Sequence, residues 1–251
     1  VSVDDQYHQD LPILKYSTIA QALDLIKTEL SKYSPTKFVR DSKPTIKRAI
    51  ARLGFSVLNR TVIFAHYDLK NQIDDYVVKY LTYLNKITNN IIFVSDCDLP
   101  DGESQKIDKL CIKKIIGRHG ESNDFGSYKR GLSYLINELP EIYELTDELV
   151  FANDSCYCTG DLLEMFTQMS ASNYDAWSIN DHAESSTLIK NETYLQTSLF
   201  VIASPVFKQK KFIDFFSSIT PEKTKELIVR KYEIGLSELL IRNGNKLGSY
   251  I

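Results

Sequence analysis

From Arg60 onward, short apolar runs alternate with segments of helical periodicity, and each run stops at a polar cluster. TVIFAHYD reads as a buried strand, DDYVVKYLTYLNKI as a helix, and NNIIFVSDCD as a second strand closing on acidic residues. KLCIKKIIGR marks a third strand region, SYKRGLSYLINELPEIY a helix, and DELVFANDS a fourth strand. Three strand-to-helix units at this spacing predict an α/β sheet with mostly parallel strands. Beyond them lie a helix in DLLEMFTQMSAS, a short strand in YDAWSIN, a strand in SLFVIASPVF and a helix from KFIDFF. The last helix carries KYEIGLSELLIRNG, with Gly244 as its C-terminal stop. No internal repeat or low-complexity tract is evident.

The first fifty or so residues differ from this pattern. AQALDLIKTELSKY and TIKRAIARLGF have helical periodicity and are separated by the breaker-containing SPTKFVRDSKP. The expected organisation is an N-terminal helical extension over 1–58 and one α/β domain over 59–251. Lys37, Arg40, Lys43, Lys47, Arg48 and Arg52 make the extension locally basic. Such a run is either a solvated helix face or a contact with a membrane surface or lipid phosphate.

Composition narrows the class. The chain has 251 residues, 43% hydrophobic and 25% charged, enough to bury a sizeable core. A formal net charge of -3 provides no global field that would draw in nucleic acid. No apolar run reaches the roughly eighteen residues of a membrane-spanning helix. Cys97, Cys111, Cys156 and Cys158 do not form paired CxxC elements, which argues against structural zinc and for reduced cytosolic thiols. The chain opens at Val1 without a signal-peptide pattern, which suggests a piece of a longer polypeptide. The expected location is cytoplasmic, with the inner face of the cell membrane as a contact surface.

In a parallel sheet, ligands sit beyond the carboxyl ends of the strands. His66-Tyr67-Asp68, Ser95-Asp96 and Asn153-Asp154-Ser155 are all expected there. Their carboxylates and amides can hold a ribose, a divalent cation or a sugar hydroxyl, whereas the bland alternative is polar turns where strands end. GRHGESNDFGSYKRGL combines four glycines, basic residues and a helix start that Asn123 or Asp124 can cap. Helix-end amides with Lys129 or Arg130 could neutralise a diphosphate there; otherwise this is a capped helix with solvated cations. Neither GxxxxGK[ST] nor GxGxxG occurs, so the common nucleoside-triphosphate and dinucleotide binders lose support.

Taken in order, FAHYD, IIFVSD, NDFGSYKRGL, LVFANDSCY, SLFVIAS and KYEIGLSELLIRNG resemble the rhamnan synthesis protein F family of glycosyltransferases. The likeness spans roughly 60 to 251, with NDFGSYKRGL and FANDSCY its most specific parts. It implies transfer of L-rhamnose from a deoxythymidine-diphosphate donor into bacterial cell-wall or O-antigen polysaccharide, with a lipid-linked glycan as acceptor. More distantly, the order is similar to a GT-A type domain, a Rossmann-type sheet flanked by helices. By that analogy His66, Tyr67, Asp68 and Asp96 border the nucleotide, and Asn153-Asp154-Ser155 replaces the usual Asp-any-Asp motif.

Only one carboxylate remains in that triplet. Asp154 alone can hold Mg²⁺ or Mn²⁺ through the donor's phosphates, because magnesium keeps several waters. Without a metal, Lys129 and Arg130 are the expected counter-charge for the leaving diphosphate. The resemblance makes Glu233 the general base for the acceptor hydroxyl, with Glu238 as its competitor and a helix-dipole role as the plain alternative. It places the acceptor between Asp175 and Gln196, where Trp177, Asp181, His182 and Tyr194 suit sugar contact; His182 is a second, weaker base candidate. An inverting displacement needs one base. Two competing readings stand beside this one. The first is a noncatalytic carbohydrate- or nucleotide-sugar-binding module of a larger assembly protein; the second is a phosphoryl- or nucleotidyl-transferring enzyme, which calls for a denser carboxylate pair.

Overall fold

A computed structural model describes residues 58–251 except 121 and 184–192. The expected N-terminal extension and its basic residues lie outside the described residues. Residues Leu58–Ile251 form one compact unit.

Strand β1 (Arg60–His66) is buried at every position, because it lies inside a sheet covered on both faces. Around it run β2 (Asn90–Ser95), β3 (Lys113–Ile116), β4 (Glu148–Asn153), β5 (Ala176–Ser178), β8 (Leu199–Ala203) and β9 (Leu247–Ser249). Two further strands, β6 (Asp181–Ala183) and β7 (Thr193–Leu195), pair only with each other. The main sheet has the order β3-β2-β1-β4-β8-β5-β9. All neighbours are parallel except β8, which runs against β4 and β5. The expected mostly parallel sheet is therefore present, with β8 as its one reversed strand.

Alternate residues of each strand feed two cores. One face carries Ile63, Ile92, Val94, Leu149, Phe151 and Phe200; the other carries Val62, Phe64, Ile91, Phe93, Val150 and Val201. Helix α1 (Asp75–Asn85) covers the second face with Val77, Tyr80, Leu81 and Leu84, one stripe of a 3.6-residue repeat. After the short α2 (Asp101–Gln105), helix α3 (Asp124–Glu138) covers the first face. Gly131 lets α3 approach closely, since a Cβ there would lie 2.4 Å from Ile63 Cγ2. Pro140 ends the predicted long helix and opens a separate α4 (Pro140–Leu145), as its missing N–H and fixed φ favour a first-turn position.

Helix α5 (Leu163–Ser170) packs on the second face. Beyond β8 come α6 (Ser204–Phe207) and α7 (Lys210–Ser217). On the first face Phe151 stacks between Phe200 at 4.6 Å and Phe216 at 5.1 Å, with Tyr128 edge-on. Each such side chain contributes roughly 1.5–3 kcal/mol by burial.

The predicted last helix is compound. Helix α8 (Lys225–Ile228) runs into a π-helical turn, Val229–Ile234, and then α9 (Gly235–Arg242). Gly244 has φ 76° and donates to the Ile241 carbonyl, while Asn245 N–H reaches Leu240. This is the left-handed glycine stop expected from the sequence. The β6–β7 pair and β9 are additions to the elements that periodicity predicts.

Candidate functional site

Because β1, β2 and β4 are parallel and in register, His66 lies beside Ser95 and Ala65 beside Asn153. The three polar clusters thus emerge at one end of the sheet. There, His66, Tyr67, Asp96, Asp124, Asp154 and Ser155 line a cleft of about 630 Å³, together with Tyr76, Arg118, Asn123, Ser127 and Lys225.

Asp154 is its central charge. One carboxylate oxygen accepts the Tyr67 N–H at 2.8 Å, and the side chain is only 10% exposed. Burial pushes its carboxyl up to about 7, helped by the negative charge of Asp124 and opposed by the Tyr67 hydrogen bond. His66 Nε2 is 3.9 Å away, yet this is no ion pair. Burial pushes that imidazole down to about 4, so it is neutral at pH 7.

The second carboxylate missing from the triplet comes from the start of α3. Asp124 is half-buried, and burial raises its carboxyl to about 6; the Asn153 hydrogen bond and Lys225 pull it down, and Glu233 pushes it up. Asn153 Nδ2 donates to Asp124 Oδ2 at 2.7 Å, and its Oδ1 accepts the Ser155 N–H at 3.1 Å. Asn153 therefore joins the end of β4 to α3. It is 3% exposed, and both of its side-chain polar atoms are engaged in these bonds. Ser122 and Asn123, entering α3, have φ 43° and 50°, strained values for residues with a side chain.

Asp96 shapes the opposite wall. Its carboxylate accepts the backbone N–H groups of His119 and Gly120, and its other oxygen is 3.7 Å from His119 Nδ1. His119 Nε2 lies 2.9 Å from Ser127 Oγ. These contacts fasten the loop after β3 between β2 and α3 and bring Arg118 to the cleft. Arg118 also donates to Asp98 and Asn71.

The structure corrects three expectations. Asp68 does not line the cleft; its Oδ1 accepts the N–H groups of Lys70 and Gln72, closing the β1–α1 turn. Lys129 and Arg130 are not in the cleft either. They line a separate groove along the edge strand with Lys113, Lys114 and Tyr134, and Lys129 Nζ donates to the Ile219 carbonyl at 2.8 Å. The helix phase explains this: about 100° per residue turns them roughly 140° and 120° from Asp124. Among the described residues, the cations that reach the cleft are Arg118 and Lys225. Arg118 stands in the glycine-bearing segment GRHGESNDFGSYKRGL, whereas Lys225 carried no sequence signal.

Trp177 is the third correction. It is 2% exposed and packs edge-on against Phe166, so its ring cannot receive a sugar. Asp181 and His182 stand on β6, opposite Leu195 and Tyr194 of β7. Glu233 lies in the π-helical turn and accepts the Thr197 N–H at 3.3 Å. The Leu195 N–H just before it donates to Ser237 at 3.0 Å. Glu233 thus borders the segment between β7 and β8, close enough to Asp124 to act on its charge. Among the described residues, no group of three or more His, Cys, Asp and Glu has metal-holding geometry. Asp124 and Asp154 line the same cleft, and the Asp124 charge raises the Asp154 carboxyl, so a cation placed between them would offset that repulsion.

No curated protein matches the chain. Among solved structures it is similar to a Bacillus anthracis protein assigned as a glucose-1-phosphate thymidylyltransferase, in complex with a sucrose (10% identity, 76% of this chain and 85% of that one, TM-score 0.47). It is also similar to the mannosyltransferase Ktr4p from S. cerevisiae (10% identity, 80% and 76% covered, TM-score 0.37) and to core-mannan synthase A from Aspergillus fumigatus, Mn/GDP form (9% identity, 70% and 69% covered, TM-score 0.37). At these scores no residue role passes from them to this chain. The family model for rhamnan synthesis protein F matches residues 91–251, a segment that holds Asp96, Arg118, Asp124, Asp154 and Glu233. Since that match extends over well more than half of its length, the chain belongs to the rhamnan synthesis protein F family.

Proposed function

We propose that this chain is a sugar-nucleotide-dependent glycosyltransferase that moves L-rhamnose from dTDP-L-rhamnose to a growing bacterial cell-surface polysaccharide, with inversion. The observation that carries this reading is the cleft itself. In a domain of a rhamnan synthesis family, it gathers the carboxylates Asp154 and Asp124 with Arg118 and Lys225 in one cleft at the carboxyl ends of parallel strands.

In this scheme the nucleoside lies toward Tyr67 and Asp96, and the diphosphate toward Asp154, Arg118 and Lys225. Glu233 takes the proton of the acceptor hydroxyl as its oxygen bonds to the anomeric carbon. The bond from that carbon to the diphosphate oxygen breaks, and Arg118 with Lys225 stabilises the departing charge. Asp154 and Asp124 would hold Mg²⁺ or Mn²⁺, which when bound neutralises the diphosphate. Asn153 keeps the two carboxylates in register. A lipid-linked acceptor handled at the inner membrane face fits this reading; among the described residues no helix is long and apolar enough to cross a membrane.

The test is transfer from dTDP-L-rhamnose to an α-L-rhamnan oligosaccharide, with and without Mg²⁺ or Mn²⁺, alongside other nucleotide sugars. Transfer from a different donor would revise the sugar and leave the reaction class. Neither transfer nor donor hydrolysis under any of these conditions overturns the reading in favour of a binding module.

A further inference from the structure

We propose that Tyr157, backed by Tyr76, forms a stacking platform for a pyranose ring of the glycan chain at the mouth of the cleft. This inference rests on the glycosyltransferase reading and adds the residue that meets its glycan substrate.

Trp177, one of the two expected aromatic contacts, is buried in the core and closed to a sugar. Two tyrosines occupy a suitable place. Tyr76 lines the cleft, and its hydroxyl donates to the Asp154 carbonyl at 3.1 Å. Tyr157 follows Asp154 by three residues, and its ring centroid is 4.4 Å from that of Tyr76, tilted by 40°. Yet Tyr157 is 73% exposed. One face of the ring is thus held by Tyr76 while the other is open to solvent. An exposed aromatic fixed in this way supplies contact area with little conformational entropy left to lose.

Its position selects a glycan over the other flat ligand, a nucleobase. Tyr67 is the tyrosine on the nucleoside side of the proposed scheme: it is half exposed and lines the cleft together with Arg118. Tyr157 joins the site through Tyr76 and the Asp154 backbone instead. In the proposed scheme the donor sugar sits beside Asp154 and Asp124, inside the cleft. A ring as open as Tyr157 suits a later residue of a glycan running out of the cleft, with its apolar face on the tyrosine and its hydroxyls in water.

The experiment compares wild type, Tyr157→Ala and Tyr157→Phe in separate titrations with dTDP and with a short α-L-rhamnan oligosaccharide. The expected result is about 10-fold weaker oligosaccharide binding for Tyr157→Ala, from loss of a stacking contact, near wild-type binding for Tyr157→Phe, and unchanged dTDP affinity. Thermal melting serves as the folding control, because an exposed ring contributes little to the core. Oligosaccharide binding by Tyr157→Ala equal to wild type overturns the platform, as does a wild type that does not bind the oligosaccharide. A loss of dTDP affinity in Tyr157→Ala also overturns it and marks a nucleobase platform. If wild type fails to bind dTDP, the nucleotide-sugar reading falls, and the oligosaccharide titration still decides the platform.

Discussion

Asn153 Nδ2 and Asp124 Oδ2 are 2.7 Å apart, and this one hydrogen bond joins the end of β4 to the first turn of α3. It stabilises the ionised form of a carboxyl that burial otherwise drives toward neutrality. Asn153→Ala should therefore destabilise the fold by about 1–3 kcal/mol, the range for a buried group left unsatisfied. It should also raise the Asp124 carboxyl further. Urea unfolding at pH 7 measures the first effect, and carboxyl chemical shifts across a pH titration the second. A neutral result for both would leave Asn153 without the positioning role.

Asp154 ties stability to pH in a defined direction. Its folded carboxyl is raised to about 7, so between about pH 4 and 7 the folded chain holds a proton that the unfolded chain releases. Stability from this group is thus full below pH 4 and declines as pH rises toward 7. His66, lowered to about 4, has the opposite slope between about pH 4 and 6.5, because there the unfolded chain binds the extra proton. Asp124, raised to about 6, adds a slope of the same sign as Asp154 between about pH 4 and 6. The wild-type curve mixes all three, so Asp154→Asn is the informative comparison. It should melt higher than wild type at pH 8 by roughly 5 °C and lose most of that advantage at pH 4.5. Mg²⁺ should stabilise wild type more at pH 8 than at pH 5.5, since protons compete for the same oxygens.

The diphosphate should depend on Arg118 and Lys225, not on Lys129 and Arg130. Alanine at either of the first two should weaken dTDP binding about 10- to 100-fold, as expected for a charge-assisted contact. Arg130→Ala should stay within about twofold of wild type, because surface charges outside the cleft contribute little. Isothermal titration of each variant separates these outcomes, and the reverse order would return the site to the groove beside β3.

Glu233→Gln should lower kcat by about 10²- to 10⁴-fold, the usual contribution of a general base, while donor binding is retained. Glu238 contributes nothing to this step in the proposed scheme; its carboxylate pairs with Arg242 across one helical turn. Steady-state rates of Glu233→Gln and Glu238→Gln decide between them, and full activity in Glu233→Gln would remove the base assignment.

Gly131→Ala probes the helix contact that places Asp124. With Ile63 Cγ2 at 2.4 Å from the would-be Cβ, α3 or β1 has to move, at about 1–3 kcal/mol. Lower Tm together with weaker dTDP binding is expected, since α3 carries both Asp124 and Ser127.

The strands are readable because their apolar runs end in polar clusters, and parallel register then brings those ends together without further information. LVFAND and IIFVSD therefore point to the cleft directly. Strand β9 is not readable: Leu247–Ser249 is three residues long, too short for alternation to show. The second carboxylate is hidden for a different reason. Asp124 meets Asp154 only through the packing of α3, thirty residues earlier in the chain. Lys129 and Arg130 mislead because charge counted along a segment carries no helical phase. Trp177 reads as a surface aromatic because a three-residue strand does not reveal that both its faces are covered.

The π-helical turn at Val229–Ile234 holds one residue more than an α-helical path of the same rise. Such insertions are rare and rotate the preceding turns by about 100° relative to the helix after them. Leu236 and Leu240 anchor α9 in the core, and Tyr232 and Glu233 stand just on the other side of the surplus residue. Removing one residue here would keep the core seam of α9 and rotate the carboxylate away from the Thr197 N–H, so the helix would survive with its acid aimed elsewhere. In the proposed scheme, a relative that lacks this extra residue would have to draw its base from another part of the chain.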